Sequence, residues 1–442
     1  MKVVFGVVYS IVVQIMAKPA VVMGILAFIG LKLKKEDSET VLIGVLKAAS
    51  GMLILGFGST LVSNSITGLQ NILNAAIGTT GFVPSTMLLY YALQHASELG
   101  MFTILTFALG WVLHLVMLKL FPKYCKVLYT SCNQMLVING MIMLFLYFGF
   151  ELRGATLFIV GTICNCLWLT FVPMISYKAS MELSEGSFAL AHSNSLSSFI
   201  SYKLGKFVGD PEKDDSENIK LPGILSAFAN PDLVLILGCM TLYIVIVVVG
   251  YCLPQSREAV LAAAGTDNWI LWSVVQGLTF SASISVALYG VKMFLEVLVS
   301  AMVGISDRVL PGVTAGLDCA AVWPISPVAC TIGFFGASAG ALICMILMIA
   351  FKAPAVVMPQ LAYCFFDGAT AGVFGNKTGG WKGALIGGLI VGIMTSVGGM
   401  MMIPLLGQSA MDTGMVFANV DTNFLGTALF GIVYAIKSLF VH

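Results

Sequence analysis

The sequence predicts an all-α, polytopic membrane protein whose helices are interrupted by broken or re-entrant elements. Three observations carry this. Of 442 residues, 59% are hydrophobic and only 10% charged, whereas soluble domains carry about a quarter charged residues. Charge is absent from 127–150, 154–177, 233–256, 268–291 and 383–411, and each stretch can cross a bilayer, which takes about 20 apolar residues. Two further apolar regions are rich in glycine, proline and small polar residues, a composition that does not suit an unbroken lipid-facing helix.

The chain opens with Met1-Lys2 and an apolar run, and no small-residue cleavage site leads into a polar domain. This reads as the first membrane segment rather than a signal peptide. Lys18-Pro19 interrupts it, so its start is expected to lie along the interface: proline removes a backbone donor and lysine is costly in hydrocarbon. Gaps between charges then place helices near 19–31, 40–57, 102–118, 127–150, 154–177, 233–253, 268–300, 331–351, 383–405 and 424–441.

The first irregular region, 48–97, has no charge but carries Gly56, Gly58, Ser63, Asn64, Gly68, Pro84, Ser85 and Thr86. The second, 311–330, is punctuated by Pro311, Gly312, Gly316, Pro324 and Pro327 around Asp318. Non-helical backbone survives at membrane depth only where protein or a water-filled cavity satisfies its polar groups, so both regions read as broken or re-entrant.

Lysines set the orientation. Lys32, Lys34 and Lys35 mark one loop, Lys119, Lys123 and Lys126 a second, and Lys178, Lys203, Lys206, Lys213 and Lys220 a long third. All three are expected on the cytoplasmic side, with the N-terminus outside. The third loop, 178–232, is the only long polar segment; within it Phe188-Ala189-Leu190-Ala191-His192-Ser193-Asn194-Ser195 is apolar then polar and uncharged, and is expected to tuck back toward the membrane. Gly44-Val45-Leu46-Lys47 followed by Gly58-Ser59-Thr60 echoes Gly290-Val291-Lys292 followed by Gly304-Ile305-Ser306. With one broken element in each half, this is the pattern of an inverted repeat around a transport site.

Net charge is +1, which gives no general attraction to nucleic acid. Ten cysteines are scattered through apolar segments; Cys164 and Cys166 match neither a zinc pair nor a redox pair, so packing is their expected role. No spacing of Cys, His, Asp or Glu predicts a metal site, and no Walker loop or GxSxG elbow predicts catalysis, so neither metal nor cofactor is expected. Asp318 lies at the head of a charge-free run that begins at Cys319. An intramembrane acid usually faces a cavity or partner, so it is a candidate ligand for a solute. His192 is followed by Ser193, Asn194 and Ser195, donors and acceptors that suit a hydroxylated solute better than a metal. Asn133-Gln134 sits inside an apolar span, where amides either bond between helices or face a solute. Thr86 ends the first broken element, where free helix-start N–H groups can hold an anion. His95 and His114, on or beside apolar helices, read as structural, and Glu98, Glu151 and Glu296 as helix-end or interface groups.

Gly304-Ile305-Ser306-Asp307-Arg308-Val309-Leu310-Pro311-Gly312, Asp318-Cys319-Ala320-Ala321, Gly372-Val373-Phe374-Gly375-Asn376 leading to Gly379-Gly380-Trp381, and Lys220-Leu221-Pro222-Gly223 together carry a resemblance. The chain resembles, nearly end to end, the membrane IIC component of the ascorbate-type bacterial phosphotransferase system. That resemblance implies a homodimer in the bacterial inner membrane. Each subunit would have about eleven helices in a dimerising domain and a mobile core of inverted repeats, within one permease domain over 1–442: first repeat 19–177, cytoplasmic loop 178–232, second repeat 233–442. It also implies a permease subunit rather than an enzyme, carrying L-ascorbate or a related sugar acid, with cytoplasmic IIB and IIA partners supplying the phosphoryl group. The implied solute-binding positions are Thr86, Met87, Asn133, Gln134, His192, Ser193 and Asp318. This chain departs from the family at three of its positions: a tyrosine is Met87, a glutamine is Ser193, and a second histidine falls near Cys132 or Asn133. The alternatives are an ion-coupled secondary transporter, with Asp318 carrying a proton or sodium ion, and a membrane-embedded enzyme using His192 as base.

Overall fold

A computed structural model describes residues 19–77, 81–86, 88–94, 98–219, 231–308, 310 and 312–440. The segment 1–18, Met87, His95 and Lys220-Leu221-Pro222-Gly223 lie outside the described residues. In order the elements are α1 (Pro19–Leu33), α2 (Ser38–Ile77), β1 (Val83–Pro84), α3 (Leu88–Gln94), α4 (Glu98–Leu120), β2 (Val127–Tyr129), α5 (Cys132–Phe148), α6 (Gly154–Phe171), α7 (Pro173–Leu183), β3 (Ala189–Leu190) and α8 (Ser195–Val208). There follow α9 (Pro231–Cys252), α10 (Arg257–Ala264), α11 (Trp269–Arg308), β4 (Thr314–Leu317), α12 (Pro327–Ala350), α13 (Leu361–Leu406), α14 (Gln408–Thr413), β5 (Met415–Val416) and α15 (Gly426–Phe440).

Among the described residues, six stretches are long and apolar enough to cross a membrane: Ser38–Gly58, Glu98–Leu120, Gly154–Leu183, Trp269–Val286, Pro327–Ala350 and Tyr363–Leu406. Their outward faces carry large apolar groups such as Leu42, Leu46 and Phe57 on α2 and Ile343, Ile346 and Leu347 on α12. A contiguous apolar surface of this kind is an aggregation liability in water, whereas hydrocarbon solvates it. The interior is close-packed around Trp323, whose ring meets Phe365 and Phe366 and whose Nε1 donates to Thr370 Oγ1 at 3.0 Å.

Among the described residues, five short strands tie distant parts of the chain together. β2, β4 and β3 form a parallel sheet with β4 in the centre, pairing Val127–Tyr129 with Thr314–Gly316 and Ala189–Leu190 with Gly316–Leu317. β1 and β5 pair in parallel, and Phe82 bridges to Val357 on the other side. Each arrangement sets a strand from one half of the chain between segments from the other. Parallel neighbours need long crossovers, which the helices provide.

The structure alters four sequence expectations. Helix α2 runs unbroken to Ile77, so the irregular part of 48–97 begins only after it, with β1. The apolar run at 127–150 is strand and then helix, since three residues of Val-Leu-Tyr look alike in either state. The segment read as loop 178–232 contains the end of α7, β3 and α8. Helical structure in α13 starts at Leu361, well before the expected 383. The second irregular region keeps its expected character: after β4 it forms two single 3-10 turns, Cys319–Ala321 and Trp323–Ile325, before α12.

Within α13, Gly380 has φ 60° and ψ −155°, which kinks the helix. This is a region that disfavours a side chain, and a Cβ here would strike the backbone of Asp214. The segment around Asp214 lies across the kink. Trp381 N donates to Asp214 O at 2.8 Å, Lys382 Nζ to Asp214 Oδ2 at 2.9 Å, and Asn376 Nδ2 to Asp215 Oδ1 at 2.8 Å. Glu217 Oε1 accepts from Val328 N and Ala329 N, capping α12.

Candidate functional site

The site forms where the parallel strands end. Leu317 closes β4, and Asp318 follows in extended backbone, starting the 3-10 turn. Its Oδ2 accepts from Ser131 Oγ at 2.5 Å; Ser131 lies two residues after β2 and immediately before α5. Cys319 Sγ donates to Asp318 Oδ1 at 3.3 Å. Two residues past β3, His192 Nε2 stands 4.0 Å from Asp318 Oδ1. That gap is too long for a direct hydrogen bond, and a bridging hydroxyl fits it. The His192 side chain is 4% exposed and the Asp318 side chain 20%, so the carboxylate is the open edge. His192 Nδ1 and both amide atoms of Asn194 are buried without a partner among the described residues.

Ser193 Oγ donates to Gln134 Oε1 at 3.0 Å, so two predicted residues from different elements meet. Thr86, past β1, stands at the start of α3, where its carbonyl accepts from Leu89 N at 3.1 Å. Its N–H donates to Tyr363 Oη at 3.0 Å, and its Oγ1 lies 2.8 Å from the same oxygen. The structure thus brings His192, Ser193, Asp318 and Gln134 to the ends of one sheet and sets Thr86 at the end of the other. Asn133 is in the first turn of α5, where its side chain lies outside the described atoms, as does Met87 entirely.

His192, Asp318 and Cys319 present ligand atoms all within 4.8 Å of one another. No sequence spacing revealed this grouping, because β4 alone brings the distant segments together. The thiol already donates to Asp318, so the three act as a hydrogen-bonding set, and a hydroxylated solute can use the same atoms without a fourth ligand.

Residues 14–421 match the family described as PTS system sugar-specific permease component, EIIC-GAT. The chain belongs to this permease family. It is 24% identical over 429 residues to the ascorbate-specific PTS system EIIC component of Mycoplasma pneumoniae, an alignment that covers 85% of the chain and 64% of that protein. The chain therefore spans less than two thirds of that relative's length.

In this permease two acids that sequence reasoning passed over hold the site from behind. Asp421 accepts from Ser195 N at 2.7 Å and Leu196 N at 2.9 Å, capping α8 immediately after Ser193 and Asn194. Its own N–H donates to Ser193 O. Asp367 accepts from Asn419 Nδ2 and Val420 N, both at 2.8 Å. Both acids are essentially buried. Each is an acid in an apolar run, the signal that had marked Asp318.

His114 is structural, as its apolar setting predicted. Nε2 accepts from Tyr129 N at 3.2 Å, so that nitrogen is unprotonated and Nδ1 donates to Thr170 Oγ1 at 3.0 Å. Glu98 caps the start of α6 through Gly154 N.

Proposed function

We propose that this permease is a IIC component that binds L-ascorbate or a related sugar acid and carries it across the bacterial inner membrane for phosphorylation by a cytoplasmic IIB protein. The observation that carries this reading is the His192–Asp318 pair, whose 4.0 Å gap between a buried imidazole and a carboxylate that is one-fifth exposed (20%) matches a bridging hydroxyl. The ascorbate-specific relative supplies the solute class. Ser131, Ser193, Gln134 and Thr86 add neutral donors and acceptors, as a polyhydroxylated solute requires. Phosphoryl transfer belongs to the IIA and IIB partners, and this chain is the carrier.

We further propose elevator-type movement of a core built from inverted repeats, in a homodimer of about eleven helices per subunit. Two features support the repeats: α2 and α11 are both 40 residues long, and the two strand arrangements exchange roles between the halves. The site lies at the junction of the halves, as in other repeat-built transporters.

The test is uptake of labelled ascorbate by cells expressing the permease with and without its IIB partner. Phosphorylated label inside that depends on the partner is the expected result. Accumulation of free ascorbate abolished by ionophores favours the second reading, an ion-coupled transporter, which buried Asp367 and Asp421 make worth testing.

A further inference from the structure

The Thr86–Tyr363 contact assigns a role to a residue outside the predicted site. Tyr363 is in the first turn of α13, four residues before Asp367, so both stand on one helix face. Asp367 holds the chain after β5, while Tyr363 holds the chain after β1. The two strands are paired neighbours, so one turn of helix fixes both strand ends.

Thr86 makes two contacts with one phenol. Its N–H donates to Tyr363 Oη at 3.0 Å, and its Oγ1 lies 2.8 Å from the same oxygen, where either hydroxyl can donate. When the phenol donates, the threonine hydroxyl keeps its own hydrogen for a further bond; among the described residues Oγ1 has no other partner. Both residues are only half-buried, so the hydrogen is within reach of a bound molecule. On the other sheet the polarity is opposite: Ser131 Oγ donates to Asp318, leaving a carboxylate that accepts.

We infer that Tyr363 is a positioning residue of this permease, holding Thr86 as a hydrogen-bond donor toward an anionic oxygen of the solute. Thr86 faces the charged edge of a sugar acid, while Asp318 receives its neutral hydroxyls. The inference rests on the sugar-acid reading above.

The experiment compares binding of L-ascorbate, a monoanion at pH 7, with neutral dehydroascorbate in the purified full-length protein. Tyr363→Phe should weaken ascorbate about tenfold, the loss of one charge-assisted hydrogen bond, and dehydroascorbate less than about twofold. Thr86→Val, which leaves α13 untouched, should reproduce this selective loss, and the double variant should lose no more than either single one. Equal losses for both solutes, or wild-type affinities in either folded variant, overturn the inference. If Tyr363→Phe fails to fold, Thr86→Val alone decides. A wild-type protein that binds no ascorbate overturns the sugar-acid reading and this inference with it, whereas wild-type binding with unselective variants overturns the inference alone.

Discussion

Ser131 and Asp318, 187 positions apart, share a 2.5 Å hydrogen bond that joins the start of α5 to the end of β4. The carboxylate that faces the candidate solute position is therefore held by a helix from the opposite half of the chain. Any movement that separated those halves would disassemble the site.

Replacing Asp318 by Ala should weaken solute binding about 10- to 100-fold, the range for a hydrogen bond to a charged group. Ser131→Ala, which leaves the carboxylate in place but free to turn, should cost less, about threefold to tenfold. Isothermal titration on the purified protein measures both. Unchanged affinity in a folded Asp318→Ala protein removes that residue from the site.

Asp421→Ala strips the acceptors from Ser195 N and Leu196 N, two buried donors at the start of α8. Orphaning them should destabilise the protein by about 2–4 kcal/mol. Asparagine keeps one acceptor and should recover part of that loss. Thermal unfolding in detergent reports it; a melting temperature within experimental error of wild type would show that these bonds do not support the fold.

The two buried histidines should separate cleanly. His114→Ala breaks bonds to Tyr129 N and Thr170 and should lower thermal stability by about 2 kcal/mol while leaving solute affinity in the surviving folded fraction unchanged. His192→Ala should do the reverse, with at least tenfold weaker binding. If the two behaved alike, the distinction drawn from their partners would be wrong.

The segment across the Gly380 kink should be acid-resistant. Its hydrogen bond from Lys382 holds the Asp214 carboxyl below the usual carboxylate range. A depressed folded-state value means that the contribution is fully present above the ordinary carboxylate range and is lost only as pH falls through the lower value. Hydrogen exchange at residues 209–218 should stay slow at pH 5 and speed up only in stronger acid. Asp214→Asn should exchange fast at both; no difference from wild type at pH 5 would mean the ion pair does not hold the segment.

How much of this was legible in the sequence depended on what each residue faces. Lipid-facing helices were clear, because Leu42, Leu46 and Phe57 answer to hydrocarbon alone. Helix α8 was hidden because its buried face is the small polar one, Ser195, Ser197, Ser198 and Ser201, while its apolar side with Phe207 faces outward, the reverse of what a sequence pattern leads one to expect. The first part of α13 was hidden by Asp367 and Asn376, which resemble loop residues until their partners are known. His192 and Asp318 stood out as polar groups in apolar surroundings, but their meeting did not, because it depends on β4 lying between β2 and β3. Tyr363 gave no signal at all, since a tyrosine in an apolar run is ordinary until its hydroxyl is seen on Thr86.

The central position of β4 also constrains biogenesis. While the first half emerges from the ribosome, β2 and β3 have no strand between them, and the backbone groups that will pair with residues 314–317 stand open. Backbone groups buried without a partner cost free energy, so the first half should reach its final packing only once β4 is made. A gene split between the two halves should yield a working carrier only when both fragments are synthesised in the same cell.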